Sequence, residues 1–202
     1  MNDTNNPSAR IADIPSVDKQ FIDRWSPRAF SSEPIAHEQI IGMIAAARWA
    51  PSCFNEQPWL FAYATNDEDR AQYQTALNDK NRLWAAQAPV LIILFARKHF
   101  EHNGSINHLA LFDSGAAWMS LALQARKYGL DTHAMAGFNA DTAHNVTGIS
   151  QETHTAICMI AAGKRSDKKI LPAPLQEREQ PNQRKNLQEI MIAGSLHSTP
   201  SR

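Results

Sequence analysis

The chain has 202 residues, 43% of them hydrophobic, which suffices for one domain with a substantial core. Its 20 Lys and Arg and its 20 Asp and Glu cancel, so no overall charge favours nucleic acid or an anionic membrane. A secreted protein is not indicated, because there are only two cysteines and the polar start lacks an apolar signal core. A membrane protein is not indicated either, because no apolar run approaches the roughly 20 residues of a membrane span. We therefore expect a cytoplasmic protein.

The first half of the chain alternates helical and extended patterns. Residues 1–17 are rich in Asn, Ser, Pro and Asp and predict a flexible arm before a single domain over 18–192, with a short helix over 16–23. The spacing of apolar residues predicts a helix over 37–50, because Pro51 ends the pattern there. Three more elements are predicted in this half: a strand over 59–64, a helix over 68–78 and a central strand over 89–96.

The second half is dominated by a long helix predicted over 108–128, which Gly129 ends. Its apolar residues point in almost every direction, so it must be covered on all sides, either within the chain or by a second subunit. We favour the second subunit. The remaining predictions are a strand over 131–138, a helix over 140–149, a strand over 153–163, a polar extended arm over 164–181 and a disordered tail over 193–202. This alternation indicates an α/β or α+β fold with one main sheet.

The first candidate binding segment contains Arg24, Ser26 and Arg28, in an RxSxR pattern that Pro27 keeps out of a regular helix. Two arginines and a hydroxyl this close can converge on one anion, and the planar guanidinium suits phosphate. An exposed basic turn is the alternative, and the motif alone favours it.

The second candidate is the loop over 51–59, which places Ser52, Asn55 and Gln57 among prolines and aromatic residues. Amides and hydroxyls backed by apolar side chains suit a planar heterocycle with polar edges. A capped turn, in which Ser52 and Asn55 bond to local backbone, explains the same residues equally well.

The RxSxR motif followed by PSxxNxQPW resembles the nitroreductase family of flavin enzymes, and the likeness extends over roughly residues 20–190. It includes Ala136 and Gly137 in a turn after a strand, and Arg184 in a C-terminal arm. The resemblance implies an α+β, three-layer α/β/α-like fold of the nitroreductase type. Its central sheet would be mixed but mainly antiparallel and flanked by helices, in an intertwined homodimer that exchanges C-terminal arms.

The resemblance also implies FMN at the dimer interface, with Arg24 and Arg184 on its phosphate and the loop over 51–57 supplied by the other subunit. The implied cofactor-binding residues are Arg24, Ser26, Arg28, Pro51, Ser52, Cys53, Asn55, Gln57, Ala136, Gly137 and Arg184, with Asn81 a weaker candidate. Cys53 and Phe54 would line the substrate pocket. Asn182 and Asn186 stand where many relatives carry a second basic residue and a proline, so the phosphate would have one cationic partner fewer.

The implied activity is that of an FMN-dependent oxidoreductase using NADH or NADPH to reduce nitro compounds, quinones or a related electron-poor small molecule. Hydride transfer would be ping-pong, with flavin N5 carrying the hydride and no catalytic side chain. The alternative is a flavin-binding or storage protein, or a relative acting on flavin itself, without general reductase turnover. His99 and His102 superficially suggest a metal site, but we expect a variable loop and no metal.

Overall fold

A computed structural model describes residues 14–194. Most of the predicted N-terminal arm and of the C-terminal tail (residues 1–13 and 195–202) lies outside the described residues. Within the described range no helix is long and apolar enough to cross a membrane.

One sheet organises the chain, with the strand order β1-β2-β4-β3. Its strands are β1 (Trp59–Ala64), β2 (Val90–Arg97), β3 (Asp131–Met135) and β4 (His154–Gly163). All three strand pairs are antiparallel. The four predicted strands and the mainly antiparallel sheet are therefore confirmed, and between residues 14 and 194 no parallel pair occurs in it.

The helices lie on both faces of this sheet. They are α1 (Lys19–Asp23), α2 (His37–Arg48), α3 (Asp67–Ala76), α4 (Asp79–Ala85), α5 (Ala110–Lys127), α6 (Ala140–Thr147) and α7 (Ala173–Gln176). α2 and α5 pack on one face, where Ile92 belongs to their core cluster. α3, α4 and α6 pack on the other, where Leu91 and Ile93 belong to the second cluster. Successive residues of β2 point to opposite faces, so burial on both sides explains why the strand is apolar throughout.

Sequence-based prediction missed α4. Asn78 begins this helix by accepting a hydrogen bond from the backbone N–H of Asn81, and Trp84 is buried near its end. The side chains of Asn66 and Asn139 cap α3 and α6 in the same way. Asparagine before an acidic first turn is a helix-start signal, and at Asn78–Asp79 it would have found α4.

The expectation of an unpacked extended arm over 164–181 was wrong. Arg165 pairs with Phe30 across an isolated β-bridge, and Ser166 N–H donates to Ala29 O at 2.8 Å. Leu171 is buried in the core, and α7 follows it. The segment therefore forms part of the packed domain and lies against the stretch that contains RxSxR.

Contacts among residues 14–194 bury one face of α5 and leave part of its first turn exposed. Ala117, Leu121 and Ala125 are fully buried against the sheet and α2. Near its start, Leu111 and Phe112 remain exposed, Phe112 by 77%. Packing among the described residues thus explains the buried apolar positions of α5 and not the exposed Leu111 and Phe112.

Candidate functional site

Four of the predicted site residues line one cleft of about 340 Å³: Arg24, Ser26, Arg28 and Arg184. Arg24 directly follows α1. Arg184 lies 160 positions later, in the part of the chain that follows β4 (residues 164–194, the C-terminal segment). The remaining lining residues are Trp25, His133, Glu177, Arg178, Gln180 and Asn182. The fold therefore brings both arginine-containing segments to one place.

Glu179 holds the RxSxR segment in its non-helical form. Its Oε1 accepts the backbone N–H groups of Arg28 at 2.7 Å and Ala29 at 2.9 Å. Its side chain is only 4% exposed, and Oε2 lies 3.8 Å from Arg28 Nη1. A buried carboxylate that accepts two backbone donors satisfies groups that a helix would otherwise have used. The C-terminal segment therefore shapes the cleft as well as lining it.

Arg24 gives the cleft its cationic character. Burial, and secondly the nearby Arg184 guanidinium, lower the pKa of Arg24 from its usual value. Its Nη1 donates to Ser26 Oγ at 3.4 Å, and its guanidinium carbon lies 5.9 Å from the centre of the Trp118 ring. Two guanidinium groups that disfavour each other's charge are stabilised by an anion between them. The cleft thus suits a phosphate group.

His133, on β3, is a site residue that sequence-based prediction missed. Its Nδ1 lies 2.9 Å from Pro27 O, and its ring centre lies 4.6 Å from that of Trp84. Burial lowers the pKa of His133 to about 4. The imidazole is therefore neutral near pH 7, so Nδ1–H donates to Pro27 O and the other ring nitrogen is an acceptor. No local motif marked it, because only strand register places it beside Pro27.

A buried ion cluster contacts Trp25, one of the residues that line the cleft. The carboxylate of Asp131 is fully buried and accepts from Arg126 Nη1 at 3.0 Å and from Arg165 Nη2 at 3.0 Å. The Arg165 guanidinium carbon also lies 5.0 Å from the centre of the Trp25 ring. Trp25 is therefore fixed between Arg24 and Ser26 by a contact that originates in the C-terminal segment.

The loop over 51–57 lies apart from this cleft, since none of its residues lines the cleft. It forms a short 3₁₀ turn (Cys53–Asn55) with local bonds: Gln57 N–H donates to Ser52 Oγ at 2.9 Å, and Gln57 Nε2 to Asn55 O at 3.0 Å. Cys53 N–H donates to Asp113 Oδ2 at 3.1 Å, which ties the loop to α5. The capped turn foreseen for Ser52 is thus present, and within one chain the loop and the arginine cleft are not brought together.

Ala136 and Gly137, directly after β3, do not line the cleft either. Gly137 O accepts from Asn78 N–H at 3.1 Å and from Asn81 Nδ2 at 3.0 Å. These bonds join the turn to the start of α4. The Asn81 side chain therefore binds the backbone carbonyl of Gly137.

Gly137→Ala should destabilise the fold by about 1–2 kcal/mol, as overpacking typically does. An added Cβ would overlap Asn78 Nδ2 and lie 2.6 Å from Asn81 Nδ2. Neither amide can move without breaking the cap of α4 or the bond to Gly137 O. Urea unfolding measures the change. Ala136→Ser, at an exposed neighbour, should change stability by less than about 0.5 kcal/mol; equal stability of wild type and Gly137→Ala would contradict the tight contact.

The His99 and His102 segment shows no metal centre. Within residues 14–194 no group of three or more His, Cys, Asp or Glu side chains lies close enough to hold an ion. His102 Nδ1 instead lies 2.7 Å from Glu56 Oε1.

A three-layer α+β fold, with an arginine-lined cleft at one edge strand, defines the class of protein, and comparison with known proteins identifies the family. The profile of the nitroreductase family matches residues 22–83 and 76–164, so the chain belongs to the nitroreductase family.

The relatives agree with this assignment. The crystal structure of an oxidoreductase containing FMN is 36% identical, with a TM-score of 0.87, and the match covers 98% of this chain and 100% of that one. A nitroreductase family protein from Clostridium difficile 630 has the same fold, with a TM-score of 0.67 at 22% identity over 86% of this chain and 95% of its own. A Streptomyces griseus protein, provisionally named NADH dehydrogenase/NAD(P)H nitroreductase, is 26% identical over 80% of this chain and 91% of its own.

Proposed function

We propose that the protein is an FMN-dependent oxidoreductase that uses NADH or NADPH to reduce nitro compounds, quinones or a related electron-poor small molecule. The observation that carries this proposal is the convergence of Arg24, Ser26 and Arg184 in one cleft. The relative at 36% identity is named as containing FMN, and the Streptomyces griseus relative is named for NAD(P)H use. A cytoplasmic location, where both nicotinamides are available, fits this activity.

The donors of the cleft fit the polar half of FMN. Arg24 and Arg184 offer guanidinium donors to a phosphate, and Ser26, which lies between Arg24 and Arg28 in sequence, adds a hydroxyl. Gln180 and Asn182 add amides suited to the hydroxyls of a ribityl chain. Asn182 supplies no charge, so the phosphate relies on the two arginines.

When bound, FMN supplies a centre that accepts and donates hydride, and the protein supplies binding, orientation and electrostatics. Arg28 would stabilise negative charge at the ring edge, while Ser52, Asn55 and Gln57 would bind that edge through their hydrogen-bonding groups. The backbone N–H groups near Ala136 and Gly137 would also bind the ring. Pro51, Cys53 and Phe54 would border the cofactor and the acceptor. No side chain is proposed as a nucleophile or proton donor.

We propose that each site is completed by a second copy of the chain. The loop over 51–57 and the cleft of Arg24 carry complementary parts of one cofactor site, yet the loop does not line its own chain's cleft. The exposed Leu111 and Phe112 of α5 offer an apolar surface beside Asp113, which binds that loop. A homodimer whose C-terminal arms are exchanged only beyond Arg184 would cover this surface and place one subunit's loop at the other's cleft.

Arg24→Ala should weaken FMN binding about thirtyfold, because a charge-assisted bond to phosphate contributes about 2 kcal/mol. Quenching of flavin fluorescence, titrated into protein stripped of flavin, measures the dissociation constant. Arg24→Lys retains the charge and should lose less. Arg178→Ala, at an exposed arginine of the same cleft, should change affinity less than about threefold.

An unchanged affinity in Arg24→Ala would contradict the assignment of the phosphate to this cleft. The reductase activity is tested separately, as oxidation of NADH or NADPH with menadione as acceptor. FMN binding without such oxidation would replace the proposal with the flavin-storage alternative.

A further inference from the structure

Glu56 belongs to the loop before β1, taken to its last residue (51–58). It connects this loop to the turn over 98–107 that follows β2. Its side chain is only 6% exposed. Oε2 accepts the backbone N–H of Glu101 at 3.0 Å and lies 3.1 Å from Arg97 Nη2, while Oε1 lies 2.7 Å from His102 Nδ1. The Glu101 N–H bond and then the His102 bond lower the pKa of Glu56. One buried carboxylate thus receives donors from the last residue of β2 and from two residues of the turn that follows it.

Arg97 completes this connection from the strand side. Its Nη2 also donates to the Glu56 backbone carbonyl at 2.9 Å, and its backbone N–H donates to Pro58 O at 2.8 Å. Both ends of the loop's second half are therefore attached to the last residue of β2. The loop therefore takes its position from the sheet.

The loop needs such an attachment because three of its residues have an unfavourable backbone conformation. The φ values of Phe54, Asn55 and Gln57 are 52°, 57° and 48°. They lie in the left-handed region, which residues other than glycine rarely occupy. Strained backbone of this kind persists only where surrounding contacts determine it. Glu56 lies among these three residues.

The same attachment creates an aromatic contact between the two segments. The Phe54 ring centre lies 5.9 Å from that of Phe100 and 5.4 Å from that of His102, both edge to face. Phe54 is nevertheless 78% exposed, so it faces outward while its edge is fixed. The turn after β2 therefore also determines how Phe54 is presented.

We propose that Glu56 is a positioning residue, which fixes the strained loop over 51–58 for cofactor binding by connecting it to Arg97, Glu101 and His102. It acts through the loop and does not itself contact the cofactor. The inference rests on the proposed function, since it assigns that loop to the FMN site.

Replacing Glu56 tests the inference. Glu56→Ala should raise the FMN dissociation constant about tenfold, because a displaced loop would lose a hydrogen bond to the ring edge. The absorption bands of bound FMN should also change shape, since the loop would no longer hold its amides at the ring edge. Glu56→Gln keeps an acceptor for the Glu101 N–H and should recover part of the affinity, within about threefold of wild type.

Glu101→Gln is the matched control, because Glu101 also pairs with Arg97 but its side chain is 72% exposed and does not bond to the loop. It should leave the FMN affinity and spectrum unchanged. If Glu56→Ala does not fold, Glu56→Gln carries the test: weaker binding than in Glu101→Gln supports the inference, and equal binding overturns it. Failure of wild type to bind FMN would refute the proposed function instead, whereas tight FMN binding with unaltered spectra in every Glu56 variant would refute this inference alone.

Discussion

Lowering the pH from about 6.5 to about 4 should remove about 3 kcal/mol of folding stability through His133 alone. Burial lowers the pKa of His133 to about 4 in the folded state, against 6.5 for an ordinary histidine. Between these values the unfolded chain binds a proton that the folded chain does not, so stability falls as the pH falls. Above about 6.5 the contribution is fully present, and below about 4 it is completely lost.

Urea unfolding at several pH values between 4 and 7.5 measures this dependence. In His133→Gln the amide can still donate to Pro27 O, but it does not titrate, so the curve should lose that part of its slope. His37→Gln, at an exposed histidine that begins α2, should leave the slope as in wild type. Identical slopes for wild type and His133→Gln would show that the imidazole is solvated in the folded protein.

Mixing two inactive variants should restore activity if each site combines two subunits. Arg24→Ala removes the cleft's phosphate contact, and Asn55→Ala removes a contact from the loop. In a heterodimer of the two, one site would receive both substitutions and the other neither. We expect about half of wild-type turnover from the purified heterodimer, against little from either homodimer at an FMN concentration near the wild-type dissociation constant.

Differently tagged subunits, exchanged under mild denaturation and purified by both tags, allow this measurement. A heterodimer of Arg24→Ala with Arg184→Ala is the informative control. The placement of Arg24 and Arg184 in the same cleft of one chain predicts two damaged sites there and no recovery. Recovery in that control but not with Asn55→Ala would mean that the C-terminal segment, rather than the loop, crosses to the partner. Recovery in neither would place the complete site within one chain.

Local sequence patterns correctly predicted many helices and strands of this protein. The apolar run of β2 and the apolar spacing of α2 and α5 follow from burial. Apolar residues recur in the sequence wherever a helix or strand turns a face to the core. RxSxR and PSxxNxQPW each left two interpretations open when read as local chemistry. Their order and spacing together indicated the family, which the comparisons confirm.

Only the tertiary structure decided how these motifs are supported. The polar segment over 164–181 was expected to be an unpacked arm because it lacks apolar periodicity. It is held instead by specific polar contacts, such as that of Arg165 with Asp131, which are distant in sequence. Glu179 and His133 shape the RxSxR segment across separations of 151 and 106 residues.

Sequence by itself thus determined most elements of the fold and the family, because periodicity and residue type act over a few neighbouring positions. Tertiary structure decided that the arginines of both segments share one cleft, that the loop over 51–57 stands apart from it, and that Glu56 anchors that loop. Those outcomes depend on single long-range hydrogen bonds and on strand register, and neither leaves a local pattern in the chain.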